Sequence, residues 1–260
     1  MTEAGASIPF DRAADDYDRT RGGDDRGDVV AGVLAPLLPP GRLLEIGVGT
    51  GLVAAALTRR GRSVAGVDLS MPMLRYAHDR LPGRVVAGDA LRLPIATGSV
   101  DGVVMIHVLH VVGDVGAALA EVARVLRPGG RVVVSVGADP DEPDSDVAAV
   151  LQDLTRRLGL DEHRPDRDVA VTEAARRAGL AAGPQASYPP AYMQLSPAEW
   201  IRRITARSAS WMWPLDDDAW RATTAPTLQA LRALPDQDSS RPDAAQVPLL
   251  AFDKPGQGVR

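Results

Sequence analysis

Short apolar runs alternate with stretches of helical periodicity through the middle of the chain. The apolar runs lie at residues 43–46, 63–67, 84–87, 100–106 and 131–136, and helical spacing occurs at 52–60, 71–80 and 114–126. Strands that are apolar on both faces and alternate with helices are typical of a parallel sheet covered on both sides. The pattern therefore predicts a doubly wound α/β core between residues 43 and 136.

The periodicity is weaker on both sides of this core. A helix is predicted at 28–38, although Pro36 disfavours its last turn. Beyond an acidic loop at 139–146, the spacing predicts helices at 146–158, 172–178, 197–209 and 216–234 and a strand at 185–195. A last strand is predicted at 247–252, where Pro248 indicates a sheet edge or an irregular start. Since the chain shows no internal repeat and no clear linker, we expect a single domain.

The composition excludes several kinds of functional site. The 260 residues carry a formal net charge of −5 and contain no cysteine and four histidines, at positions 78, 107, 110 and 163. Disulfides, cysteine nucleophiles and thiolate metal sites are therefore excluded, and no metal site is expected. The negative charge gives no electrostatic reason to expect nucleic acid or an anionic membrane as a partner. Residues 1–11 do not resemble a secretory signal and no apolar run reaches about 18 residues, so we expect a cytoplasmic protein.

A glycine-rich segment follows the first predicted strand and opens a helix. Glu45 precedes Gly47, Gly49 and Gly51, which alternate with single residues. Glycines allow a sharp turn and a close approach of a ligand to the main chain, and the helix start adds free N–H groups. A dinucleotide fingerprint would need its third glycine at Leu52, so the spacing disfavours a nicotinamide dehydrogenase.

Two aspartates follow the next two strands. Asp68 ends the second strand, where a carboxylate in a doubly wound fold can accept hydrogen bonds from a ribose. The alternative is a cap of the following helix, but the glycine loop before it favours the ribose. Asp89 follows the third strand, where it could accept from the exocyclic amine of a base. Because ligands of open α/β sheets bind at the carboxyl ends of the strands, these residues predict one nucleoside site together with the glycine loop.

Four motifs together resemble those of class I S-adenosylmethionine-dependent methyltransferases. They are Leu-Glu-Ile-Gly-Val-Gly-Thr-Gly at 44–51, Gly-Val-Asp-Leu-Ser at 66–70, Gly-Asp-Ala at 88–90 and Leu-Arg-Pro-Gly-Gly at 126–130. The chain is most similar to the small-molecule group that includes the ubiquinone-biosynthesis and trans-aconitate methyltransferases. The resemblance covers residues 10–137. It implies a Rossmann-like sheet of seven mostly parallel strands with helices on both faces, a helical substrate cap and S-adenosyl-L-methionine as cofactor.

The resemblance also implies roles for individual residues. Gly47, Gly49 and Gly51 would carry the methionine part of the cofactor along the backbone, and Glu45 would orient this loop or the cofactor ammonium. Asp68 would hold the ribose, with Leu69 and Met73 near the adenine, although Met73 is equally explained as a helix core residue. The remaining contacts would come from Asp89, Ala90 and Leu91 at the adenine amine and from the carbonyl of Ile106 at the ammonium.

The N-terminal segment resembles the lid of such enzymes. Tyr17 would cover the methyl-bearing end of the cofactor, and Arg21 could pair with the methionine carboxylate. The alternative is a solvated, charged helix. The expected organisation is therefore a single domain, residues 1–260, with lid helices at 1–40, the cofactor core at 41–137, a variable substrate cap at 138–245 and a last strand and tail at 246–260.

The acceptor side is less specific. Methyl transfer needs a base only when the acceptor is a poor nucleophile, and His107 and His110, just past the fourth strand, are the candidates. An aromatic group in the variable region could cover a flat substrate or form the core of the cap itself. Its members are Tyr188, Tyr192, Trp200, Trp211, Trp213 and Trp220, of which Tyr192, Trp211 and Trp213 are the candidate substrate contacts. A small-molecule acceptor is favoured. An RNA or protein acceptor, or a module that binds the cofactor without methylating, stays an alternative.

Overall fold

The computed structural model describes residues 18, 22–137, 143, 145–159, 166–189, 194–208, 212, 215–241 and 246–256. Seven strands in these ranges form a single sheet. They are β1 (Arg42–Ile46), β2 (Ser63–Asp68), β3 (Val85–Ala87), β4 (Val100–Met105), β5 (Leu126–Ser135), β6 (Ala181–Tyr188) and β7 (Val247–Asp253). No described helix is both long enough and apolar enough to span a bilayer.

The strand order is β3-β2-β1-β4-β5-β7-β6. The first five positions pair in parallel, whereas β7 runs antiparallel to both β5 and β6. This arrangement confirms the predicted α/β class with a mostly parallel, seven-stranded sheet. The chain connects β1 to β2 on one side and continues to β4 on the other, so the order reverses between β1 and β4. A crevice forms at such a switch point, beyond the carboxyl ends of the strands.

Helices cover both faces of the sheet. The described helices are α1 (Gly23–Leu34), α2 (Leu52–Arg59), α3 (Met71–Arg80), α4 (Val115–Val125), α5 (Asp146–Arg157), α6 (Asp168–Arg177), α7 (Pro197–Thr205) and α8 (Asp217–Ala233). The apolar residues of α1, α2 and α3 pack with one set of strand side chains, and those of α4 and α6 pack with the opposite set. Leu43 and Leu44 show the alternation, since adjacent residues of β1 enter different cores.

Three other helices form a separate core in the variable region. It contains buried side chains from α5, α7, α8 and Met212, among them Trp200 and Trp220. The Trp220 indole N–H donates to the Ile204 carbonyl at 3.3 Å. Both tryptophans therefore serve the internal packing of this helical unit, which was one of the two interpretations of the aromatic group.

The strand predicted at 185–195 is wrong in its bounds, because β6 occupies Ala181–Tyr188. This edge strand is mostly exposed and carries few large apolar residues, so hydrophobic periodicity gave it no signal. Backbone pairing with β7 defines it instead, with an irregularity between Ala182 and Gln185.

The edge position indicated by Pro248 is also wrong, since β7 lies inside the sheet between β5 and β6. The Pro248 carbonyl accepts from the Val136 N–H at 3.1 Å, one residue beyond the end of β5. In an antiparallel ladder, both polar groups of one residue point to the same side. The missing Pro248 N–H would therefore face Val136, just beyond the end of β5. Its absence removes no hydrogen bond between β5 and β7 within the bounds of β5.

Candidate active site

The glycine loop after β1 is held in a backbone conformation that requires glycine. Gly47, Gly49 and Gly51 have φ angles of 70°, 54° and 86°. A Cβ on Gly47 would lie 2.5 Å from the Val108 side chain, whereas a Cβ on Gly49 would meet nothing within 4 Å. The loop therefore closes against the β4 exit at Gly47 and leaves open space at Gly49, where a ligand can approach the main chain.

Asp68 links this loop to the next helix. Its Oδ2 accepts from the Gly49 N–H at 2.7 Å, and its Oδ1 accepts from the Ser70 N–H at 2.9 Å. The helix cap itself is Ser70, whose Oγ accepts from the Met73 N–H at 3.3 Å. Asp68 thus places a half-buried carboxylate at the switch point and orients the loop at the same time.

The side chains expected to contact the adenine differ in their exposure to solvent. Leu69 is 58% exposed beside Asp68, so its side chain is accessible to a ligand in the crevice. Asp89 is exposed, and its Oδ1 accepts from the Leu91 N–H at 2.9 Å. Ala90 and Leu91 are partly buried against the core. Met73 is only 2% exposed and offers little surface to a ligand in this conformation.

Glu45 is a buried acid at the bottom of the crevice. It is 3% exposed, and its Oε2 has no hydrogen-bond partner among the described residues. Burial raises the pKa of Glu45 to about 8, although a backbone N–H from Ala54 and the nearby Arg26 guanidinium oppose the shift. A buried carboxyl of this kind is well suited to a cationic ligand group, which would replace the lost solvent.

A small pocket of about 40 Å³ opens beside Glu45, with room for about one or two waters. Arg26 of α1 enters this pocket, a contribution that the sequence did not predict. Its lining is completed by Ile106 at the end of β4 and by the glycine loop and the start of α2, residues 47–50, 52 and 53. A cation and an acid therefore share one compartment.

Asp18, in the N-terminal part of the chain, is hydrogen-bonded to the glycine loop. Asp18 accepts from the Thr50 hydroxyl through Oδ1 and from the Arg80 guanidinium through Oδ2, at 2.7 Å for the latter. Arg80 also donates to the Thr50 carbonyl at 2.9 Å. These three residues, far apart in sequence, were not predicted. Tyr17 and Arg21 lie outside the described residues, so their lid roles stay predictions.

The two candidate bases occupy different environments. His107 is partly buried. Its backbone N–H donates to the Ser135 Oγ at 2.7 Å, and its ring Nε2 lies 2.6 Å from the Tyr188 hydroxyl. His110 is exposed. Neither partner of His107 was predicted, and Tyr188 had been grouped with the aromatic residues of the cap. Tyr192, Trp211 and Trp213 lie outside the described residues, so their acceptor roles stay predictions.

The sheet order and the loop geometry define a doubly wound α/β protein with a nucleoside-type crevice. The family pattern described as a methyltransferase domain matches residues 44–134. An uncharacterized methyltransferase of Geobacillus kaustophilus is 34% identical over 144 residues, which cover 51% of this chain and 67% of that protein. The chain therefore belongs to the class I S-adenosylmethionine-dependent methyltransferase family.

Other curated relatives match over a smaller share of their own length. The demethylmenaquinone methyltransferase of Corynebacterium kroppenstedtii is 38% identical over 106 residues, covering 40% of this chain and 45% of that protein. The chain thus spans less than half the length of the curated relatives it first matches. A solved phosphoethanolamine N-methyltransferase from Haemonchus contortus has a TM-score of 0.59 at 20% identity, covering 97% of this chain and 61% of that one. That likeness supports the fold.

The Glu45 environment predicts a specific pH dependence of stability. Between its ordinary pKa of 4.5 and the folded value of about 8, the folded protein holds a proton that the unfolded chain has lost. The free energy of unfolding should therefore fall as pH rises through this window, by a few kcal/mol in total and at most about 1.4 kcal/mol per pH unit. Glu45→Gln should remove this dependence, which denaturant titrations at several pH values would measure.

Glu173→Gln is the matched control. Glu173 is partly exposed on α6, and its arginine neighbours lower the pKa to about 2, below the window. This variant should therefore keep the wild-type slope. Parallel stability profiles for wild type and Glu45→Gln would contradict the buried-acid interpretation.

Proposed function

We propose that this protein transfers a methyl group from S-adenosyl-L-methionine to a small-molecule acceptor. One observation carries the proposal: the open backbone of Gly49 donates to the Asp68 carboxylate and lines the same small pocket as the buried Glu45. An acid for the ribose and an acid for the ammonium therefore adjoin one stretch of backbone that carries no side chain. The cofactor supplies an electrophilic methyl group on a sulfonium, and the protein has to bind and orient both reactants.

The described residues fit the cofactor group by group. Asp68 would accept from the ribose hydroxyls, Leu69 would lie against the adenine, and Asp89 would accept from its amine, with Ala90 and Leu91 beside it. Glu45 and the Ile106 carbonyl would face the ammonium. Arg26 is the described cation in the same pocket and would pair with the methionine carboxylate, the role expected of Arg21. The Haemonchus contortus enzyme was solved in complex with S-adenosylhomocysteine, which supports this assignment of the crevice.

For the acceptor we propose a flat, largely apolar molecule. The names of the demethylmenaquinone methyltransferases support a quinol-type ring. The family match ends at residue 134, so the helical unit that would cover the acceptor lies outside it. The division into lid, core and cap belongs to this proposal, with the cap built around the separate α5, α7 and α8 core.

The first test measures cofactor binding and methyl transfer separately. Calorimetric titration should show saturable binding of S-adenosylmethionine and S-adenosylhomocysteine and none of NAD. Labelled methyl transfer to 1,4-naphthohydroquinone, with analysis of the product, would then give the acceptor atom. Cofactor binding without transfer to this or any other acceptor in a screen would favour a cofactor-sensing module. An RNA or a protein as the methylated acceptor would overturn the small-molecule assignment.

Asp68→Asn should weaken S-adenosylhomocysteine binding by about ten- to a hundredfold, since charged hydrogen bonds to the ribose are worth about 1.5–3 kcal/mol. The amide oxygen can still accept from one of the two backbone N–H groups, Gly49 or Ser70, and the apolar cores on both faces of the sheet are unchanged, so the variant should fold. Asp216→Asn is the control, because Asp216, at the start of α8, likewise accepts from two backbone N–H groups. Equal affinities for all three proteins would remove the ribose role.

Arg26→Met tests the methionine end by itself. It should lower the affinity for S-adenosylhomocysteine about tenfold or more, and leave the affinity for 5′-methylthioadenosine, which has no carboxylate, unchanged. Arg59→Met is the control, since Arg59 is exposed on α2 and pairs with Asp28 of α1. A comparable loss for both ligands would show that Arg26 supports the fold of the pocket and does not recognise the carboxylate.

A further inference from the structure

His107 leaves β4 in a conformation that few residues adopt. Its φ is 53°, in the left-handed region, where a non-glycine residue persists only if the surrounding structure enforces it. The Ser135 Oγ, at the end of β5, accepts the His107 N–H at 2.7 Å and holds this backbone. Since Ile106 lines the Glu45 pocket, the strained residue is the next one along the chain from the pocket wall.

Tyr188 fixes the imidazole ring of the same residue. Tyr188 ends β6, on the far side of β7 and β5 from β4, and its side chain is 1% exposed. Its hydroxyl lies 2.6 Å from His107 Nε2, and the two rings meet edge to face at 86°. A buried tyrosine hydroxyl needs a hydrogen-bond partner, and His107 Nε2 lies at hydrogen-bond distance from this one. His107 is thus held at its backbone by one strand and at its ring by another.

We propose that Tyr188 is a positioning residue that accepts a hydrogen bond from His107 Nε2–H, so that His107 Nδ1 can take a proton from the methyl acceptor. The inference rests on the proposed function and deepens it. A histidine oriented in this way acts on an acceptor whose attacked atom still carries a proton, such as a hydroxyl. An acceptor that is already a free nucleophile would need no such residue.

The proton and electron count closes without a further reactant. The lone pair of the acceptor atom forms a bond to the methyl carbon, the carbon–sulfur bond breaks, and its electron pair stays on sulfur. The acceptor proton passes to His107 Nδ1. The positive charge of the sulfonium therefore ends on the imidazolium, whose Nε2–H stays hydrogen-bonded to the Tyr188 oxygen.

The first test observes the tautomer and does not depend on turnover. Nitrogen-15 spectra of the protein saturated with S-adenosylhomocysteine contain only four histidines, and the His107 signals are those lost in His107→Asn. Asparagine is chosen because it tolerates the left-handed backbone. About two pH units above the usual histidine pKa of ~6.5, His107 should carry its proton on Nε2. A proton on Nδ1 would overturn the proposal, because that nitrogen could not then accept another.

The same experiment separates the inference from the proposed function. If S-adenosylhomocysteine does not bind, the proposed function fails and the inference fails with it. If it binds and the Nδ1–H tautomer is found, the inference alone fails.

The second test is a double-mutant cycle on methyl transfer to 1,4-naphthohydroquinone. Tyr188→Phe removes only the hydroxyl and should lower kcat about tenfold while leaving KM for S-adenosylmethionine unchanged. His107→Asn should lower kcat about 10²–10⁴-fold, and adding Tyr188→Phe to it should cost nothing further. The control Tyr76→Phe, on α3, should match the wild type. An equal loss from Tyr188→Phe in both backgrounds would show a merely structural role and overturn the proposal.

Discussion

The hydrogen bonds of the Asp68 carboxylate hold the crevice together. One oxygen accepts from Gly49 in the glycine loop and the other from Ser70 at the start of α3, so a single side chain sets the relation between β1, β2 and the two helices that follow them. Gly49 can present an open backbone because this carboxylate, rather than packing, holds it in place. The loop conformation and the proposed ribose contact thus depend on the same carboxylate, which is already held in place before a ligand arrives.

The buried Glu45 carboxyl lowers the free energy of unfolding at pH values where it is ionised. A buried acid with a raised pKa destabilises the protein wherever it is ionised, and the apolar cores on the two faces of the sheet have to offset that cost. Arg26 on α1 reduces the cost and brings the N-terminal part of the chain to the crevice. The hydrogen bonds from Thr50 and Arg80 to Asp18 also hold the N-terminal part of the chain at the crevice. The N-terminal segment therefore contributes to the site even though the sheet is complete without it.

The parts of the fold with strong local patterns could be predicted from the sequence. Each of the five parallel strands contains a short apolar run, and the glycine loop and Asp68 come at the ends of such runs, so their joint position at one edge follows from topology. β6 could not be predicted in its correct place, because it is exposed and is defined by pairing with β7. Tyr188 was therefore misjudged, since its contact with His107 exists only once β6, β7 and β5 lie side by side. Trp200 and Trp220 were ambiguous because packing in a cap and contact with a substrate demand the same residue types.

The left-handed backbone at His107 limits which residues can occupy that position in the course of evolution. Glycine, asparagine and aspartate adopt this conformation most readily, and each would preserve the loop, relieve part of the strain and delete the imidazole. A descendant of this protein could therefore lose proton abstraction in one substitution without losing its architecture. Recruitment to an acceptor that needs only alignment would lie one mutational step away, whereas a return to a proton-bearing acceptor would require histidine itself at this position, since none of the other three residues supplies an imidazole.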